Sequence, residues 1–558
     1  MNTLNLQLSR SWHLFLTIIT SYLIINTPIL GQIPATGIVI TPDTLINQAA
    51  EKILIQGGNA VDAGAAAMFA LSVVQPFASG IGGGGMMLIW NKKSAGATVI
   101  DFREQAPQGT DPAIFYQDSI TFNIYTKYGY RSICVPGMVA GVSKALEQFG
   151  TKTLDEVLQP AIDLATNGFM VNESLAKLVT EHYSRLETNR TTSSLFFPDW
   201  LPLSKGQIMN RIDLAHTFNL LASKGAKGFY QGEIASAICN EINLNNGLIQ
   251  LADFQNYQSI IRQPVRATYR NLDIVTVPPP SSGGTALAEL LMILEKFDLK
   301  KYRLNSGQYI HLVVEAMKQV FNDRDQHFMG DPKFDRLKPG LVLSDEDIQQ
   351  CVNKIDTSNV IAITNHAPNR ESSNASHISI VDSDGNAMLI STTLNDFFGS
   401  AVTLSQYGIL LNNAMYNFSI DPSHPNSLQP GKRPQMSLAP TILLKNNQPY
   451  LILGGTGAER IISMLAQIII NVVDFQLPIE EAVRAPRFHY NYDDNTIEME
   501  TRIEANDIEY LKRLGHRVKL RNDFDVYFGS APVIIIDPTS QQTASVSDVR
   551  QQGVVYIK

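Results

Sequence analysis

Apolar residues at helical spacing open the readable part of the chain: Leu45, Ile46, Ala49, Ile53 and Leu54 share one side of a helix predicted over about 42–56, which Gly57-Gly58 ends. Asn59 can cap a second helix over 60–72, where Ala63, Ala65, Ala66, Ala67 and Ala70 leave a surface smooth enough to lie close against neighbours. Pro76 stops it, residues 80–85 form a glycine loop, and 86–90 follow as a buried strand. From about 136 to 350 the pattern is mostly helical, with Leu312, Val313, Ala316, Met317, Val320 and Phe321 on one amphipathic face and a helix over 286–294 after a Pro-Ser-Gly loop. Residues 350–373, rich in Asn, Thr, Ser and Pro, form a predicted surface segment. Strands then come in quick succession at 377–381, 387–393, 408–411, 441–444 and 450–453, the first two joined by a hairpin turn over 382–385. Helices first and strands later predict an α+β fold, with sheets packed together, helices outside and one core shared by both halves.

Alternation along the strand near 377 gives its faces. Ser376, Ile378 and Ile380 fall on one side, which their apolar character marks as the core face, and Ala375, His377 and Ser379 fall on the other.

The chain has 558 residues, 44% hydrophobic and 17% charged, with 44 Lys plus Arg against 52 Asp plus Glu for a net charge of −8. That is the composition of a globular protein, and its acidic balance argues against nucleic acid or an anionic membrane as partner. A small-molecule or peptide ligand is expected. Cys134, Cys239 and Cys351 are too far apart for a disulfide framework or a CxxC site and are expected to be buried as small hydrophobes. No HExxH, Walker A or GxSxG motif occurs, and neither a metal nor a cofactor is expected. Gly80, Gly82 and Gly85 match GxGxxG, but the order helix, glycines, strand is the reverse of what a dinucleotide site needs; close backbone approach is the better reading. Residues 1–31 combine Arg10, an apolar run and a small residue before Gln32, which predicts a secretory signal and an exported mature protein without stable membrane insertion.

Several ordered stretches carry a specific likeness: Gly57 to Ala63, Ser79 to Gly85, Asp101 to Pro107, Val135-Pro136-Gly137, Pro280 to Gly284, Asp323-Arg324, Gly330-Asp331-Pro332, Leu410 to Asn413 and Ala485 to Phe488. Over roughly 36–552 the chain resembles the γ-glutamyltranspeptidase (glutathione hydrolase) family. The resemblance implies the N-terminal-nucleophile hydrolase fold, a four-layer αββα sandwich, with a large-subunit-like half over 32–374 and a small-subunit-like half over 375–558.

In that family a precursor cuts itself before a threonine, whose hydroxyl then attacks the γ-glutamyl amide while its freed amine serves as base. His377 and Ser379 set the register with the family's cleavage pattern, so Ala375 stands where the threonine belongs. Arg103 matches the residue that holds the substrate α-carboxylate, Thr393 and Asn395 match residues supporting the nucleophile and the substrate carboxyl end, and Ser437 matches one of two adjacent serines. Ala414 replaces a Glu or Gln, Asn417 replaces the Asp that pairs with the substrate ammonium, and Met436 replaces the first serine. In the oxyanion loop Gly457 remains and Ala458 replaces the second glycine. These changes predict an uncleaved, inactive relative that binds a small molecule carrying a carboxylate, such as a γ-glutamyl or acyl amide. The alternatives are a working γ-glutamyl transferase or amidohydrolase with Ser376 as displaced nucleophile, and a peptidase or acylase acting on another amide.

Overall fold

The computed structural model describes residues 31–557 apart from 33, 35, 328–329, 335–342, 363–373 and 552; most of the segment expected to be a secretory signal lies outside the described residues. Two seven-stranded antiparallel sheets dominate. The first runs Val554–Ile557, Ile38–Thr41, Ser376–Val381, Ala387–Thr393, Gly84–Asn91, Gly96–Asp101, Ile260–Arg262. The second runs Gly31–Gln32, Gln542–Val546, Val533–Ile536, Gln448–Leu453, Thr441–Lys445, Leu272–Thr276, Val265–Tyr269. Both sheets draw strands from either side of residue 375.

Strand parity sorts the core into layers. Met87, Ile89, Ile378, Ile380, Met388 and Ile390 turn outward from the first sheet onto the helices Thr44–Ile55, Ala60–Val74 and Leu154–Asn167. The alternate residues Met86, Leu88 and Leu389 turn inward and share a cluster with Ile442, Leu451 and Leu453 of the second sheet. The helices Ser282–Glu295, Gly307–His327 and Arg460–Val473 complete that cluster, giving the four-layer αββα order. All six residues of Ser376–Val381 are therefore buried, not only the Ile378 and Ile380 face, because a sheet between two layers has no solvent side.

Local signals account for the elements nearest the site. Asn59 caps the helix Ala60–Val74 through the N–H groups of Val61 (2.8 Å) and Asp62 (3.1 Å), while Asp62 Oδ2 accepts the Asn59 N–H at 2.8 Å. Every residue of this alanine-rich helix is buried. Asp382, in the predicted hairpin turn, accepts the Ala60 N–H at 3.0 Å and so ties the helix start to the strand end.

Four expectations need correction. The region 136–350 also contains the strands Ile260–Arg262, Val265–Tyr269 and Leu272–Thr276, which are too short to show a clear period. The helix expected over 286–294 begins at Ser282, since its glycines serve packing: a Cβ on Gly283 would lie 2.2 Å from the Ser437 carbonyl oxygen. Residues 350–354 end the helix Asp345–Lys354, capped by Ser344, so the surface segment starts later and its 363–373 part lies outside the described residues. The run 408–411 contributes only Ile409–Leu410, paired with Thr403–Leu404 away from the main sheets. All three cysteines are buried and free, as expected.

Candidate functional site

Residues 374 and 375 lie immediately before the strand Ser376–Val381. Ser376 pairs with Thr392 and His377 with Ser391, so Ala375 falls beside Thr393 on the face that looks toward the second sheet. The Thr393 hydroxyl donates to the Asn374 carbonyl oxygen at 2.5 Å and accepts the Asn395 N–H at 2.8 Å. Asn374 is anchored by its own amide, which donates to the Phe77 carbonyl at 2.8 Å. The glycine loop holds the other side: a Cβ on Gly83 would stand 2.2 Å from the Thr393 carbonyl oxygen, and one on Gly82 2.1 Å from that of Leu410. These glycines thus allow close backbone packing, as the sequence order suggested. The carbonyl that precedes residue 375 is gripped by a hydroxyl, and residue 375 offers it only a methyl. Ser376 belongs to the opposite face, with Ile378, Ile380 and its cross-strand partner Thr392.

His377 lies under the junction, with Nδ1 2.8 Å from Ser391 Oγ and Nε2 3.0 Å from Ser379 Oγ; its ring leaves no room for a side chain at Gly454, whose Cβ would meet Cε1 at 2.1 Å. Burial pushes this imidazole down from 6.5 to about 3. Between these two values the unfolded chain carries a proton at this ring that the folded chain refuses, so the folded state loses stability as pH falls through the window. The contribution is about 1.4 kcal/mol per pH unit. His377→Gln is expected to remove that share of the slope in urea denaturation from about pH 7 down to about pH 4.

Ala375, Ser376, His377 and Thr456 line a small cavity of about 30 Å³, enough to hold a water. Beyond Thr456 the chain turns into the helix Arg460–Val473 through Gly457 (φ +135°) and Ala458 (φ +53°). Their carbonyls accept the Arg460 and Ile461 N–H groups, and their own N–H groups have no backbone acceptor among the described residues. An alanine in the left-handed region costs roughly 1–2 kcal/mol that glycine would not.

Arg103 forms the second part of the site and is 1% exposed. Its fork is filled from within: Nη1 donates to Glu104 Oε2 at 2.5 Å, Nη2 to Asn417 Oδ1 at 2.9 Å and to the Gln435 carbonyl at 3.3 Å, and Nε to the Pro434 carbonyl at 3.0 Å. Burial pushes the Glu104 carboxyl above its usual range, although the Arg103 guanidinium pulls the other way. Ala414 is fully buried in an apolar cluster with Phe115, Phe122, Met415 and Phe418. Asn395 Nδ2 donates to the Asn413 carbonyl at 3.2 Å, which links Thr393 to that cluster.

Met436 and Ser437 form the third part. Met436 is buried, and its carbonyl accepts the Ser282 N–H at 2.8 Å. Arg324 Nη2 donates to Ser437 Oγ at 2.7 Å, Nε to Ser282 Oγ at 2.9 Å and Nη1 to Glu459 Oε2 at 3.2 Å. Burial alone would raise the Glu459 carboxyl, but His489 together with Arg324 and Arg460 outweighs it and holds the group at about 2. Arg324 thus connects Ser437 to the residue after Ala458. Sequence reading placed Arg324 only within a family stretch and did not single out Glu104 or Glu459. Their signal, a charged residue inside an apolar neighbourhood, becomes informative only once its partner is known.

A gamma-glutamyltranspeptidase family model matches residues 47–557. The chain belongs to this family. The glutathione hydrolase proenzyme of Escherichia coli (strain K12) is 35% identical over 90% of this chain and 89% of that protein. The acylase ACY 1 proenzyme of Pseudomonas sp. (strain V22) is 34% identical over 87% of this chain and 88% of its own length. Among solved structures, the cephalosporin acylase of Bacillus halodurans superposes with a TM-score of 0.86 at 27% identity, covering 95% of this chain and 97% of that one. No helix among the described residues is long and apolar enough to cross a membrane. Within the gamma-glutamyltranspeptidase family the N-terminal-nucleophile hydrolase fold is thereby established for this chain.

Proposed function

We propose that this protein is an exported member of the gamma-glutamyltranspeptidase family that has lost the family's hydrolase and transferase chemistry and persists as one uncleaved chain, a small-molecule-binding pseudoenzyme. The observation that carries this reading is the junction itself: Thr393 holds the Asn374 carbonyl at 2.5 Å, and the adjacent side chain at 375 is a methyl. A methyl cannot attack a carbonyl, and removing the nucleophile of a catalytic unit costs on the order of a millionfold in rate. Strand parity weighs against Ser376 as a substitute. Bringing it to the Ala375 position slips the strand by one residue, which carries Ile378 and Ile380 off the helix-facing layer and turns His377 and Ser379, hydrogen-bonded to Ser391 and to each other, onto that apolar layer.

The same reading bears on the ligand. Arg103 stands where the resemblance places the carboxylate-binding residue, but its fork is taken by Glu104, Asn417 and the carbonyls of Pro434 and Gln435, and Asn417 and Ala414 supply no charge for an α-ammonium. L-Glutamate is therefore bound weakly, and a carboxylate lacking the amine does no worse. Mass spectrometry of the exported protein is expected to find one polypeptide starting near Gln32, and neither glutathione nor a γ-glutamyl anilide is turned over. A fragment beginning at Ala375 or Ser376, formed without added protease, sinks the proposal.

A further inference from the structure

Away from the junction, three buried side chains from distant parts of the chain converge. His311 and Glu315 stand one turn apart on the helix Gly307–His327, and His516 follows the helix Ala505–Leu514. His311 and Glu315 are fully buried and His516 is 7% exposed. His311 Nδ1 lies 2.8 Å from His516 Nε2, and Glu315 Oε1 lies 3.9 Å from each of these nitrogens. The point equidistant from the three atoms is about 2.1 Å from each, the length of zinc–imidazole and zinc–carboxylate bonds, and lies in their plane, so a tetrahedral ion requires the two nitrogens to open from 2.8 Å to about 3.4 Å.

We propose that His311, Glu315 and His516 bind a zinc-type divalent cation, which ties the helix Gly307–His327 of the first half to the C-terminal half. Two imidazoles and one carboxylate select zinc or cobalt over magnesium or calcium, which prefer all-oxygen shells. The outer contacts suit the role. His311 Nε2 lies 3.0 Å from the Asp356 carbonyl oxygen, so that nitrogen carries the hydrogen and Nδ1 presents its lone pair, in the orientation typical of metal-bound imidazoles. Without an ion the 2.8 Å contact is a hydrogen bond from His516 Nε2–H to His311 Nδ1, so coordination requires that proton to move to His516 Nδ1, which frees Nε2. Three protein ligands leave a fourth position for water.

Lys318 opposes the ion. Its ammonium lies 2.7 Å from Glu315 Oε1 and 3.1 Å from the Ile361 carbonyl, while Glu315 Oε2 accepts the Ile361 N–H at 3.2 Å. It is the internal counter-cation of Glu315, and a metal must share the carboxylate with it. The cluster also holds the backbone at Asp356 and Ile361.

The test uses full-length protein stripped with a chelator. Calorimetric titration with zinc chloride is expected to show one equivalent, cobalt chloride to give the visible bands of four-coordinate cobalt(II), and magnesium chloride to do neither. His516→Gln abolishes the cobalt bands. Lys318→Met, which removes the opposing charge but keeps the stem, tightens zinc binding by about tenfold or more. That second variant distinguishes this cluster from an adventitious surface histidine and stands even where His516→Gln fails to fold. Absence of the cobalt bands in the wild type, their persistence in folded His516→Gln, or unchanged zinc affinity in Lys318→Met overturns the proposal.

Discussion

Ala375→Thr is expected to cut itself into two chains at the 374–375 bond yet to recover little γ-glutamyl transfer. The electrophile is already held, because Thr393 Oγ1 donates to the Asn374 carbonyl oxygen and the Asn374 side chain is tethered to Phe77. A hydroxyl at 375 would stand on the same face as Thr393, directly across the strand pair. Turnover is a separate matter. Asn417 accepts from Arg103 and carries no charge, Ala414 is sealed in an apolar cluster, and Met436 fills space with a thioether where a hydroxyl donor belongs in the family pattern. A substrate misplaced by about 1 Å loses on the order of a hundredfold in rate. The variant should therefore show two bands on a denaturing gel and anilide release at least about a hundredfold below a family enzyme assayed alongside it. Adding Ala414→Gln and Asn417→Asp should recover more than either alone, since the three positions serve one substrate. An intact Ala375→Thr chain would mean that the Thr393 contact does not prime the bond. Transfer near the family level would mean that the pocket changes are tolerated.

Arg103→Met should cost about 3–5 kcal/mol of stability, a larger effect than the loss of a ligand contact. In this structure the guanidinium is structural before it is anything else: Glu104, Asn417 and the carbonyls of Pro434 and Gln435 take its donors. Removing it strands the Glu104 carboxylate, which is fully buried and whose Oε1 already has no hydrogen-bond partner. Because burial raises the Glu104 carboxyl, it takes up a proton more readily than an exposed one. The deficit of the variant should therefore shrink as pH falls. Urea denaturation of Arg103→Met, of Glu104→Gln and of the double variant measures this directly. The double variant is expected to recover most of the loss, because no buried charge is left unpaired. A loss below about 1 kcal/mol in the single variant would show that water reaches Glu104 and that the pair is not sealed.

The sequence and the structure divide this protein along the range of the interactions involved. Rules that act over a few residues were legible. Asn59 announces a helix cap, the alanine run announces a close-packed helix, and the alternation around His377 correctly separates Ala375 from Ser376, because strand parity is a period of two that needs no partner to be read. The reading of Ala375, Ala414, Asn417, Met436 and Ala458 as departures from the family pattern rests on the resemblance alone, and the variants above test it.

Tertiary structure decided what those residues touch. Arg103 meets Asn417 and Pro434 across sequence separations of 314 and 331 residues, so nothing local foretold that its fork would be filled from within. The short strands between 260 and 276 and the early start of the helix at Ser282 are set by neighbours that override weak local preference. Burial of both faces of Ser376–Val381 follows from a second sheet lying on its polar side. That packing surrounds His377 and Ser379 with protein, and only a folded chain can bring the second sheet there.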